Sequence, residues 1–376
     1  MRILGPNRSR AWWICPRIYP GMLALLAVAL PGNGKAAAYA ETCTTQSALT
    51  PADRDSIAGA ARNLAARVRA NDAAGLRAAA VAELAKDFGA FQYLVALTSP
   101  KLAADAPAVE QLYLLDATGL KRNPDGSATD AQFFCSLNRS TMEAEFDIPA
   151  LPPGRYSFAM VTMASPPGSA ASLPWRLSFL MRQEPAGQGA WLLAGFYPKP
   201  LTAAGHDGLW YWTQARELAK DKQPWNAWLY YQAAAMLLRP ADFVLSTHLD
   251  KLHTEATAAA PPALSEGVSP DAPLVVKAAS GAEYHFTGLS VDDSLGQSTL
   301  DIAVHLHADL PPDPKADAKA DAKADPNAAR KRNADAMSAL LAAYPELRKP
   351  FHGVWMYADT TGQPPFATEQ PMADIK

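Results

Sequence analysis

The stretch Trp175-Arg-Leu-Ser-Phe-Leu-Met-Arg182 decides the fold of the larger part of this chain. Trp175, Leu177, Phe179 and Met181 alternate with Arg176, Ser178 and Arg182, a period of two broken only by Leu180. That pattern predicts a strand with one packed face and one mostly wet face. Working outward, residues 109–116, 132–137, 144–148, 155–163 and 190–197 have the same strand texture. Turn-rich pieces such as Asn123-Pro-Asp-Gly126 and Leu151-Pro-Pro-Gly154 separate them. Connections this short predict an antiparallel meander, because parallel neighbours need longer crossovers.

Upstream the texture is helical. Thr50-Pro51-Ala52-Asp53 combines an N-cap, a proline at the first helical position and a carboxylate in the first turn. Ile57, Ala61, Leu64 and Val68 then recur at helical spacing and mark a buried stripe. Asn71-Asp72 interrupts the pattern, and Asp72 is placed to cap a second helix carrying Leu76, Ala80 and Leu84. A third helical stretch is expected over 91–97. Helices followed by antiparallel strands make residues 50–200 an α+β module. Its closing hairpin, 175–182 followed by a Gly/Gln turn and Ala190-Trp-Leu-Leu-Ala-Gly-Phe196, resembles the nuclear-transport-factor-2-like superfamily. The resemblance implies a pocket wrapped by helices and sheet, used for catalysis in some members and for binding alone in others. Enzymatic members typically carry an Asp/His or Tyr/Asp set inside it. Here no histidine precedes His206, so the resemblance implies a scaffold without a catalytic set.

Residues 204–257 read as a helical hairpin. Gly208-Leu-Trp-Tyr-Trp-Thr-Gln-Ala-Arg-Glu-Leu-Ala219 and 224–240 resemble a tetratricopeptide unit. Ala215, Leu218, Ala227, Tyr231 and Ala234 fall at its small and large positions, and Pro240 comes one residue late. A single unit cannot bury its own apolar face, so it must pack on its neighbours. A further helix is expected over 242–255, with Phe243, Leu245, Leu249 and Leu252 towards the core. A linker over 258–272 leads to a small ββαβ-type α+β tail, 273–376. It has strands near 274–278, 283–289, 299–307 and 353–358 and a helix over 328–344. Within it 313–327 is a low-complexity Lys/Ala/Asp insertion, read as solvated and flexible.

The first forty residues read as an export signal. Arg2, Arg8, Arg10 and Arg17 precede the apolar run 22–30, and Ala38-Tyr-Ala40 offers a small-x-small cleavage site. The run is shorter than the ~20 residues that span a bilayer. A periplasmic or secreted location is therefore expected, without a permanent membrane anchor after cleavage; the alternative is a retained anchor. The whole chain has 34 Lys and Arg against 37 Asp and Glu. Loss of five basic residues with the signal (the four arginines and Lys35) leaves 29 against 37, a net charge of −8. That balance disfavours nucleic acid and anionic membrane surfaces as partners. Cys15 leaves with the signal, so Cys43 and Cys135 are expected to form one disulfide. The alternative is two free thiols, with Cys135 buried as a small hydrophobe.

Candidate chemistry is sparse. His305-Leu-His307 places two imidazoles on one strand face with Asp301 and Asp309, a metal-like spacing without a third histidine. Trp191, Trp210, Trp212, Trp225 and Trp228 gather where the first module meets the second. Trp210, Trp212, Trp225, Trp228 and Tyr231 are the candidate partner-binding surface, and packing of the hairpin onto the sheet is the competing role. His206-Asp207 invites an acid/base reading, but Asp207 is equally placed as an N-cap. Asp116, Glu143, Glu145 and Asp147 are the candidate carboxylates for glycoside hydrolysis, and each also reads as a strand-edge charge. Ser140 and Ser246 have no evident partners. No Gly-x-Ser-x-Gly elbow, Walker loop or dinucleotide fingerprint occurs, so no catalytic residues and no cofactor are assigned. The expectation is an exported, non-catalytic binding or assembly factor with an envelope protein as partner. The alternative is an enzyme or small-molecule binder using a pocket in the first module.

Overall fold

The computed structural model describes residues 41–376, apart from 103–105, 138–140, 164–172, 185–188, 266, 294–298 and 309–325. The expected leader, Cys15, Ser140, Asp309 and all but the last two residues of the 313–327 insertion thus lie outside the described residues. A short strand, β1 (Thr42–Thr45), precedes four helices: α1 (Pro51–Arg69), α2 (Ala73–Ala78), α3 (Ala82–Lys86) and α4 (Gly89–Thr98). Thr50 caps α1, its hydroxyl accepting from the Asp53 amide at 3.1 Å, an arrangement that contributes about 1 kcal/mol. Asn71 ends that helix in the left-handed region, with φ of 53°. The Asp72 amide then bonds the Arg67 carbonyl and the Asn71 amide bonds that of Val68, which satisfies two of the carbonyls a helix end orphans. Asp72 caps α2 through the Gly75 amide, as its position predicts.

Six longer strands follow: β2 (Ala108–Asp116), β3 (Thr129–Leu137), β4 (Thr141–Leu151), β5 (Arg155–Met163), β6 (Trp175–Gln183) and β7 (Trp191–Pro200). Two residue pairs, β8 (Thr202–Ala203) and β9 (His206–Asp207), lead into α5 (Gly208–Lys220) and α6 (Pro224–Leu238). Then come β10 (Val244–Leu245) and α7 (Thr247–Ala259). The class is α+β, as expected, but the strands do not make one meander. A five-stranded antiparallel sheet runs in the order β1-β2-β5-β6-β7, while β3 and β4 leave it as a hairpin extended by β10.

The departure of that hairpin overturns a second expectation. The far face of the first sheet is not wet, because the hairpin covers it. Leu112, Leu114, Val161, Leu177 and Phe179 pack towards Ile57, Leu64 and Val95 of the helices. Tyr113, Leu115, Tyr156, Phe158 and Leu180 pack the other way, against Phe133, Cys135 and Phe146. Leu180 is therefore the second face's own contribution to a core, and Ser178 beside it is fully buried. The order is helices, sheet, hairpin.

The expected helix over 242–255 starts later, because residues 244–245 pair with β4, Val244 opposite Phe146. Ser246 then caps α7 through the Leu249 amide. Phe243 turns into the hairpin core, its ring 5.6 Å from Phe158 and 5.0 Å from Tyr197. In the helical hairpin Ala215, Ala227 and Ala234 are fully buried. A Cβ on Gly208 would lie 2.6 Å from Cγ of Leu238, so only glycine lets the start of α5 approach the end of α6.

The C-terminal part holds β11 (Leu274–Lys277), β12 (Glu283–Asp292), β13 (Asp301–His307), α8 (Pro326–Ala343), β14 (Gly353–Asp359) and β15 (Phe366–Pro371). The five strands form one sheet in chain order, parallel only between β13 and β14. That parallel pair is joined through α8, as a crossover requires. The order is thus βββαββ in place of the shorter ββαβ plan, closed by β15 as an edge strand. Its inner face shares one core with the helical hairpin, from Ala203 to Ile375. The Trp225 amide donates to Glu346 Oε1 at 3.1 Å and the Asn226 amide group to the Glu346 carbonyl at 2.9 Å, so a C-terminal residue caps α6.

Candidate functional site

A cavity of about 460 Å³ opens where the core under the β3–β4 hairpin meets the core shared by α5–α7 and the C-terminal sheet, within the range of ~300–1,000 Å³ usual for small-molecule sites. Its floor is the hairpin-facing side of the first sheet, with Tyr113 from β2 and Phe158 and Met160 from β5. One wall is the edge where β4 receives β10, contributing Glu143, Ala144, Val244 and Leu245. The opposite wall is helical: Leu209 and Trp212 from α5, Leu238 at the end of α6, and His248 and Leu249 from the start of α7. Leu209 is 60% exposed and stands at the mouth. The space exists because three differently shaped layers, a sheet, a hairpin edge and helix ends, meet over one sheet face and cannot all close upon it.

Glu143 is the only carboxylate among the described lining residues, and no lysine or arginine lines the cavity with it. Its Oε1 accepts from the Tyr113 hydroxyl at 3.0 Å and from the Gln111 side-chain amide. Burial, and after it the neighbouring Glu143 charge, pushes the Tyr113 phenol well above its ordinary value, so it stays protonated and donates. Glu143 is thereby held in place with a fixed donor on one oxygen. His248 is exposed in the first turn of α7, at the rim.

Of the other candidate carboxylates, none lines the cavity. Asp116 accepts from the Thr118 amide and hydroxyl in a turn. Glu145 accepts from Gln132 at 2.7 Å across the hairpin, and Asp147 is exposed. Asp207 caps α5 through the Trp210 amide at 2.8 Å, and His206 stacks on the Trp210 ring at 3.6 Å. Trp212, Trp225 and Tyr231 are buried and Trp210 and Trp228 partly buried, all in the core shared by the hairpin and the C-terminal sheet; of the five, Trp212 alone reaches the cavity. Trp191 lies in the core between the first sheet and its helices, beneath Arg155.

The Cys43–Cys135 disulfide is present, with Cα atoms 5.0 Å apart. Since Cys43 lies on β1 and Cys135 on β3, it ties the hairpin to the sheet edge. His305 and His307 share the outer face of the C-terminal sheet. His305 Nδ1 is 2.8 Å from Asp359, and its ring stacks on Tyr357. Asp301, expected beside them, is fully buried and meets His352 at 3.1 Å instead. Among the described residues, no group of three or more His, Cys, Asp or Glu is placed to hold a metal ion.

The resemblance implies a pocket between helices and sheet. That space is packed by Ile57, Leu64, Val95 and Phe179, and the cavity opens on the opposite face. Tyr113, Phe158, Met160 and His248 were not legible as site residues, because their meeting depends on where the hairpin and α7 land. The unbroken run Leu112-Tyr-Leu-Leu115 was the available signal that the sheet has a second cover. No known family, curated protein or solved structure matches this chain.

Proposed function

We propose that this is an exported, non-catalytic binding protein, built on an NTF2-like module and a tetratricopeptide-like hairpin, that takes a small, largely apolar molecule into the cavity between them. The observation that carries the reading is the cavity itself: about 460 Å³, walled mainly by aliphatic and aromatic side chains, with few polar groups to orient a guest. Glu143 is engaged by a tyrosine and a glutamine and not by a histidine, which suits recognition better than general acid/base work. The disulfide accords with an oxidising compartment. Among the described residues no helix is long and apolar enough to cross a membrane.

Titration with the neutral dye N-phenyl-1-naphthylamine tests the reading. The expected result is a saturable, one-to-one fluorescence rise that is lost in Leu209→Trp and Leu245→Trp, which fill the mouth and the wall. Leu209 is exposed enough for its replacement to leave folding intact. Binding that neither variant weakens would place the dye elsewhere and remove the basis for the proposal.

A further inference from the structure

Among the described residues that line the cavity, Glu143 is the only carboxylate, and no lysine or arginine stands with it. A carboxylate in a mainly apolar space is costly unless it is compensated. Tyr113 and Gln111 supply neutral donors to one of its oxygens and no counter-charge. Tyr113, Phe158 and Trp212 line the same space. Trp212 already carries Arg216 over its ring, with 4.5 Å from the guanidinium carbon to the centroid, so a cation is accommodated against one of these rings within the protein itself. A carboxylate together with aromatic walls is the combination that recognises organic cations.

We infer that the ligand of this cavity is a cationic amphiphile: an alkyl or aryl ammonium whose apolar part fills the space over Phe158 and Met160 and whose charged head meets Glu143. This rests on the cavity being a binding site. An anionic amphiphile would have to place its head against Glu143 or turn it out to His248 and the first turn of α7, where Ser246 already accepts one of the helix amides. The carboxylate inside selects against the first arrangement by repulsion.

Three probes with one octyl chain separate the levels of the inference: octyltrimethylammonium, octanol and octanoate, each titrated calorimetrically into the full-length mature protein below its critical micelle concentration. The expected order is ammonium tightest and octanoate weakest. Glu143→Gln keeps an oxygen to accept from Tyr113, and it is expected to weaken the ammonium about tenfold to a hundredfold more than it weakens octanol, whose head carries no charge. Equal affinity for all three would leave the cavity reading standing and overturn the charge inference. Octanoate binding best would overturn it in favour of the α7 end of the cavity. Failure of all three to bind would count against the cavity reading itself. Should Glu143→Gln fail to fold, the ranking of the probes on the unaltered protein decides the matter alone.

Discussion

The two five-stranded sheets of this molecule bury their faces differently. The first is covered twice, by α1–α4 on one side and by the β3–β4 hairpin on the other. Among the described residues the C-terminal sheet is covered once, by α8 and α6, and its outer face leaves His305, His307, Trp355 and Tyr357 half-exposed. The strands record the difference. Leu112-Tyr-Leu-Leu115 is apolar on every residue, whereas Asp301-Ile-Ala-Val-His-Leu-His307 sends Ile302, Val304 and Leu306 inward and leaves His305 and His307 on the outer face. A face covered by a second layer must also be left room where that layer ends. The cavity lies there, on the doubly covered sheet, where the hairpin stops and the helix ends begin.

The largest expected effect contrasts one aromatic from each sheet. Phe158 is fully buried between sheet and hairpin, with edge contacts to Phe146 at 5.2 Å and Phe243 at 5.6 Å. Phe158→Ala should cost about 3–5 kcal/mol in urea unfolding, through lost transfer energy and a void among rings with little freedom to collapse. Tyr357→Ala, on the open face, should cost about 1 kcal/mol or less. Equal losses would mean that the outer face of the C-terminal sheet is also covered.

Next in size is the disulfide. Cys43 and Cys135 are 92 residues apart, and removing both as Cys43→Ala with Cys135→Ala should cost about 2–4 kcal/mol, mostly by freeing the unfolded chain. Because the bridge ties β1 to β3, amide exchange should rise first in the β3–β4 hairpin and leave the C-terminal sheet protected. Loss of protection in β12–β14 at the same rate would show that the hairpin core and the C-terminal core unfold as one unit.

What the sequence made legible follows from how local each signal is. Thr50, Asp72 and Asp207 act as the caps their neighbours predict, because a cap is settled within four residues. The six long strands were found within a few residues, since a period of two is local too. Their pairing was not. That β2 meets β5 while β3 and β4 turn aside depends on contacts dozens of residues apart, and β10 is only two residues long. β15, with Thr368, Glu369 and Gln370 in its middle, has no apolar alternation to find. Glu143 was visible as one carboxylate among four. What sets it apart is Tyr113 on another layer, which no spacing along the chain reveals.

The smallest expected effect concerns how each sheet holds its helices. On the first sheet ion pairs do so: Asp53 of α1 meets Arg155 of β5 at 3.0 Å, and Glu83 of α3 meets Arg182 of β6 at 3.1 Å. On the C-terminal sheet the fully buried amide of Asn333 on α8 bonds the Phe366 carbonyl at 3.2 Å and the Thr368 hydroxyl at 3.0 Å. Only the first device responds to acid. The Thr50 hydroxyl, and then Arg155, hold the Asp53 carboxyl below its usual value; for Glu83 its own backbone amide does so first, and then Arg182. Both carboxyls give up their protons more readily folded than unfolded. Their stabilisation is therefore complete above the usual carboxylate range and is lost as pH falls through it and below the lowered folded values. The carboxylates are partly exposed, Asp53 at 26% and Glu83 at 64%, so each pair contributes at most about 1 kcal/mol. Between pH 6 and pH 3, amides of α1 and α3 should lose more protection than those of α8, and Arg155→Gln should narrow the gap by lowering α1 at pH 6 alone. If α8 loosens as much as α1, the acid response comes from the general rise in positive charge and not from these pairs.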